Sequence, residues 1–245
     1  MSVIVGVPVT ERGVSRLAKR IILLAARYGS IAIPLPEGLC SRIIMGSRDT
    51  IDYALNFMNP SQIRVWSSLF DALRNLVLEE PQVEVLCYAS EESYKASEDI
   101  GYAIATLVVK ARAFNKVDVE EWLDLFKSRG SRESLDKTAR LLSRYEVVVA
   151  DGYSWAYRLS RELPASRILA VDTLIPTPLD LLELIALNYV DRSYAGEVVA
   201  HAIRYVGEYI LLSATLTEAY DKLLRDRGYL KLIERIGLNV WSENF

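Results

Sequence analysis

The chain has 245 residues, 51% of them hydrophobic and 25% charged, which suffices for one large domain or for one ordinary domain with a helical appendage. That balance excludes intrinsic disorder, a collagen-like repeat and a disulfide-stapled miniprotein. A net charge of −3 gives no general attraction for phosphate backbones, so no nucleic-acid partner is expected.

In chain order, residues 3–9 are apolar, are interrupted by Pro8 and lack a basic leader, so they read as a first strand rather than a signal peptide. Thr10 then caps a helix over residues 11–28, with Val14, Leu17, Ile21, Leu24 and Ala25 on one face and Gly29 as its stop. Residues 31–35 form a second strand. Pro34 and Pro36 cannot donate to a ladder, so this strand is expected to be short or at an edge. Residues 41–80 are helical in pattern and broken near Asn59-Pro60, with Trp66, Leu69, Phe70, Leu73 and Leu76 as a core stripe.

A third strand at 83–88 leads into a long helix over 90–112. Asp118 and Glu121 have the spacing of a capping box, which predicts a separate helix ending at Gly130, with Ser131 capping the next one. A fourth strand at 147–150 runs into Asp151-Gly152, a helix over 153–163 stops at Pro164, and a fifth strand at 167–171 ends at Asp172. Beyond Pro176 and Pro178 the pattern is helical, with one long helix or two joined near Gly207. Strands alternating with helices predict an α/β fold: a mainly parallel sheet of about five strands with helical insertions. The expected division is an α/β domain over 1–175 and an α-helical C-terminal segment over 176–245, packed on that domain or on a partner subunit. The C-terminal stripe of Val199, Ala202, Val206, Ile210 and Ser213 needs covering, which favours a homodimer. No apolar stretch approaches the roughly 18–20 residues of a membrane-spanning helix, so no membrane partner is expected.

Candidate chemistry is narrowed by what is scarce. Cys40 and Cys87 lack CxxC spacing and read as buried free thiols in a reducing cytoplasm, with no metal site implied. The single histidine, His201, lies in a helical segment far from every strand end, which removes histidine triads and multi-histidine metal sites. Neither a GxGxxG nor a Walker A pattern occurs. Tyr153, Trp155 and Tyr157 could stack on a flat ligand, but Trp155 and Leu159, at helical spacing, read better as core. Few Met and Cys beside many Arg and Glu lean toward a heat-adapted source.

Ligands of open parallel sheets bind outside the carboxyl ends of the strands. That rule collects Thr10, Glu11, Glu37, Tyr88, Ser90, Glu91, Asp151, Tyr153, Ser154, Asp172 and Thr173, an acidic set that could hold a divalent cation, act as an acid and base pair, bind a cationic ligand or simply cap helices; of these, Glu37, Ser90, Asp151, Tyr153 and Asp172 are the ligand-binding candidates.

Gly6-Val7-Pro8-Val9 after the first strand, Glu37 after the second and Gly152-Tyr153-Ser154-Trp155 after a late strand resemble the pattern of the TraB, ChaN and erythromycin-esterase superfamily. Members carry GxxH at both glycine positions, whereas this chain has Val9 and Trp155 in place of the histidines. The resemblance spans about residues 3–180 and implies a related α/β fold without the family's histidine chemistry. Two functions follow as expectations. One is a non-catalytic protein that binds a small molecule or a protein partner; the other is a carboxylate-dependent enzyme, with or without a divalent cation such as Mg²⁺, acting on a small or phosphorylated molecule.

Overall fold

The computed structural model describes the backbone of residues 2–132, 135–163 and 166–242, and the side chains of all of these except 128–132. The helix stop expected at Pro164 lies outside the described residues.

Two strands, β1 (Val3–Val7) and β4 (Val147–Asp151), are apolar without alternation. Continuous Val and Ile suit strands covered on both faces, and Val5 and Val149, register partners, are fully buried. Between them in sequence come α1 (Glu11–Tyr28), β2 (Ser30–Pro36), α2 (Glu37–Ile44), α3 (Thr50–Ala54), α4 (Pro60–Glu79), β3 (Glu84–Ala89), α5 (Glu91–Phe114), α6 (Val119–Arg132) and α7 (Leu135–Leu142). After β4 follow α8 (Tyr153–Glu162) and β5 (Arg167–Ala170). The sheet is parallel throughout, in the order β3-β2-β4-β1-β5. Helix α1 forms as its signals predict: the Thr10 side chain accepts from the Gly13 amide, and Gly29 closes the helix at φ 81°. Its apolar stripe packs on α4, whose stripe from Trp66 to Leu76 is buried.

Strand β2 corrects the expectation of a short or edge strand, since it runs seven residues. It lies between β3 and β4. Its prolines act by shortening the ladder: β2 pairs with β4 only at Ile31↔Val147 and Ala32↔Val148, and its register with β3 shifts between Ile33 and Pro36. Helix α6 is a second correction, since it runs through Gly130 and Ser131. A glycine inside a helix costs only about 1 kcal/mol, too little to end one that is packed.

Two compact units result. The first comprises Met1–Lys95, Leu135–Leu174 and Trp241–Phe245, and holds the whole sheet. Trp241 returns to it through paired backbone hydrogen bonds with Leu174. The second comprises Ala96–Ser134 and Ile175–Val240, and is helical. It contains most of α5, all of α6, then α9 (Pro178–Ala186), α10 (Ala195–Arg204), a π-helical stretch Tyr205–Ile210, α11 (Leu216–Leu224) and α12 (Arg227–Ile236). The single or paired helix expected after Ala195 is therefore broken further, with Gly207 inside the π-helical turn. Within this unit α6 and α10 both pack on α9, and Val199 and Ala202 of the C-terminal stripe are fully buried. Among the described residues no helix is long and apolar enough to cross a membrane.

Candidate functional site

The β2–β4 ladder stops at Ala32↔Val148, so the backbone carbonyls beyond it need other donors. Tyrosine hydroxyls supply them. Tyr88, at the end of β3, donates to the Val149 carbonyl at 2.6 Å, and the buried Tyr94 of α5 donates to the Pro34 carbonyl at 2.7 Å. The Tyr88 oxygen in turn accepts from the Trp155 indole N–H at 2.9 Å, and the two rings stack with centroids 6.4 Å apart. Both aromatics are half-buried. Asp151, the last residue of β4 and also half-buried, completes the group: the Tyr94 hydroxyl is pushed well above its ordinary range by burial first and by the negative charge of Asp151 second. Here the chain turns through Gly152, whose amide donates to the Val7 carbonyl at 2.8 Å, into α8.

The other residues selected at the strand ends have different fates. Glu37 is exposed as the first residue of α2. Ser90 is exposed and caps α5, its hydroxyl accepting from the Ser93 amide at 3.1 Å. Tyr153 is fully buried against the Trp241 ring at 4.5 Å, which makes it core. Asp172 is buried and ion-paired, with Arg12 Nε at 2.7 Å and Arg16 Nη1 at 3.0 Å, and it also accepts from the Thr173 amide. Its charge is thus matched within the chain, fastening α1 to the end of β5. Among the described residues no three His, Cys, Asp or Glu side chains form a group that could hold a metal ion.

Three features escaped the sequence. Tyr53 of α3 donates its hydroxyl to Glu91, which raises the Tyr53 pKa, and Arg42 of α2 lies over the Tyr53 ring at 4.2 Å. Nothing in the spacing of these residues announces the contact. The cysteines are the second feature and a correction: Cys40 and Cys87 are buried as expected but form a disulfide instead of remaining free thiols, with Cα atoms 6.4 Å apart. Helix α2 follows β2, and β2 pairs with β3, so the first turns of α2 lie beside Cys87 although 47 residues separate the two positions. Third, the two glycines of the superfamily pattern have local roles. A Cβ on Gly6 would meet Leu174 at 2.5 Å, and Gly152 has φ 86° and ψ 173°, a region that side-chain-bearing residues rarely enter.

His201, in the second unit, packs beside the Tyr229 ring at 5.2 Å. Burial lowers its pKa, opposed by the charges of Asp226 and Glu197. Compared with known proteins, the chain matches no family model, no curated sequence and no solved structure.

Proposed function

We propose that this chain is a non-catalytic small-molecule-binding protein of the cytoplasm, without histidine-based chemistry, whose ligand sits at the carboxyl end of β4 beside Tyr88, Trp155 and Asp151. The observation that carries this reading is the early end of the β2–β4 ladder, which leaves an aromatic pair and a carboxylate together where open parallel sheets take their ligands. Stacked rings beside a negative charge suit a planar molecule bearing N–H donors or a positive charge. The engagement of Asp172 by two arginines and the scatter of the remaining carboxylates weigh against the carboxylate-dependent enzyme. Val9 and Trp155 stand where the TraB, ChaN and erythromycin-esterase pattern has its histidines, so the proposal takes no chemistry from that resemblance. A disulfide in a cytoplasmic protein agrees with the heat-adapted composition, because intracellular disulfides are a habit of hyperthermophiles.

The test is a thermal-shift titration of wild type, Asp151→Asn and Trp155→Ala with nucleosides, polyamines and Mg²⁺. A nucleoside should stabilise the wild type, by about 2.7 kcal/mol at a hundredfold excess over Kd, and neither variant, whereas a response to polyamines alone would overturn the planar ligand. Stabilisation by Mg²⁺ alone would favour the enzyme instead. Equal responses from all three proteins would remove the site from the end of β4.

A further inference from the structure

We propose that the Cys40–Cys87 disulfide is a redox latch on the candidate site: closed, it holds α2 and α3 against β3, and opened by a dithiol reductant it lets the Tyr88–Trp155 stack come apart. The sheet itself holds this corner weakly. Beyond Ala32, β2 has no ladder to β4, and its register with β3 shifts between Ile33 and Pro36. Pro34 and Pro36 have no N–H to donate, and Pro36 stands at the start of α2 without a side-chain cap. The Tyr94 hydroxyl on the Pro34 carbonyl and the disulfide, which ties the first turn of α2 to β3, supply what the ladder lacks. Further along, α3 is fastened to the same corner. Tyr53 donates to Glu91, the first residue of α5, and the Phe57 ring packs edge-on to Tyr94 with centroids 6.2 Å apart. Cys87 is followed at once by Tyr88, whose hydroxyl bonds both the Val149 carbonyl and the Trp155 indole. Movement of the strand at Cys87 is therefore delivered directly to the aromatic pair.

Intracellular disulfides are standing staples or redox devices, and position decides between them. Cys87 lies on β3, an outer strand of the sheet, and keeps 9% of its surface exposed against 4% for Cys40. A reductant thus reaches Cys87 after a local parting of α2, without global unfolding. Its thiolate attacks Cys87 Sγ and breaks the Sγ–Sγ bond, so that Cys40 leaves as a thiolate and takes up a proton. Cys40 sits in the first turn of α2, where the helix dipole favours that leaving group. The second thiol of the reductant then displaces Cys87 from the mixed disulfide. The reductant departs as its own disulfide, having given the protein two electrons and two protons. Because the chain has only two cysteines, re-oxidation within the chain can rebuild no other bond.

The experiment treats the folded full chain with dithiothreitol, without denaturant, and traps the thiols with iodoacetamide. Both cysteines should be alkylated. Amides of residues 37–58 should exchange with deuterium roughly tenfold faster or more on reduction, while those of β1 and β4 stay protected over the same minutes. Tryptophan emission should shift to the red in wild type and stay put in Trp155→Phe, and oxidised dithiothreitol should reverse the shift. Cys40→Ala with Cys87→Ala should carry the reduced signature throughout and ignore dithiothreitol. Reduction should also weaken nucleoside binding by roughly tenfold or more. That arm alone rests on the ligand proposed above: a chain that binds no nucleoside in either state refutes that reading, and exchange and emission still judge the latch. A disulfide that opens only when the chain unfolds, or one whose opening leaves residues 37–58 and Trp155 unmoved, would overturn the proposal.

Discussion

Asp226 gathers four donors: the amides of Gly228 and Tyr229, the Tyr209 hydroxyl at 2.9 Å and Arg204 at 3.3 Å. Burial pushes its carboxyl pKa up, but these hydrogen bonds and charges outweigh burial and hold it below the ordinary range. The neighbouring His201 is governed by the opposite balance, with burial outweighing the pull of Asp226 and Glu197 and lowering its pKa. A pH effect follows. The folded chain binds a proton at His201 less readily than the unfolded chain, whose imidazole titrates near pH 6.5. Stability from this residue is complete above that value and is lost as pH falls from it toward the lower folded pKa. Melting temperatures of wild type and His201→Gln should therefore diverge below about pH 6.5, with wild type falling more steeply. Parallel curves would mean that burial of the ring is not felt by its protonation. Asp151 was legible at this scale because a strand-end rule selects it without any motif, and Tyr88 stood in the same group. Trp155 and Tyr94 were not, because their spacing on helices is that of core residues, and only the tertiary fold shows that their polar ends reach the rim.

At the scale of elements, the strands could be read from composition because a sheet covered on both faces requires uninterrupted apolar runs, as in β1 and β4. The place of β2 in the order could not be read. Proline forbids donation, but it does not forbid a central position when the paired residues, Ile31 and Ala32, precede it. The disulfide was hidden for a related reason, since it depends on α2 folding back beside β3 rather than on any local spacing. Its effect is testable. Closing a 47-residue separation restricts the unfolded chain by about 4 kcal/mol in the chain-entropy account. Urea unfolding of Cys40→Ala with Cys87→Ala should show a loss of that order, and reduction of the wild type should match it. A loss below about 1 kcal/mol would mean that the unfolded chain retains the β2–α2–β3 contacts without the bond.

For the whole molecule, the sequence suggested a single division after residue 175, whereas each of the two compact units is assembled from separate stretches of chain, with Leu174/Ile175 as one of the points where the chain passes between them. What linear reading missed is that the helical unit also takes Ala96–Ser134 from the middle of the chain. Amphipathic helices reveal which face they bury but not which helix they bury it against, so α6 carried no sign that its partners lie after Pro176. Its side chains Trp122, Leu123 and Phe126 are at most 5% exposed, and α6 packs on α9 and α10. A fragment of residues 1–175 would strip that cover from α6, and each large apolar side chain so uncovered forfeits about 1.5–3 kcal/mol. The same cut removes Trp241, which pairs with Leu174 and stacks on the buried Tyr153. These losses together approach the whole stability of an ordinary domain, about 5–15 kcal/mol. Expressed alone, the fragment should be insoluble, or soluble only as a dye-binding state without a cooperative melt, while the full chain melts cooperatively. A cooperatively folded 1–175 fragment would show instead that the sheet needs none of the helical unit, and that α6 finds cover elsewhere once its partners are gone.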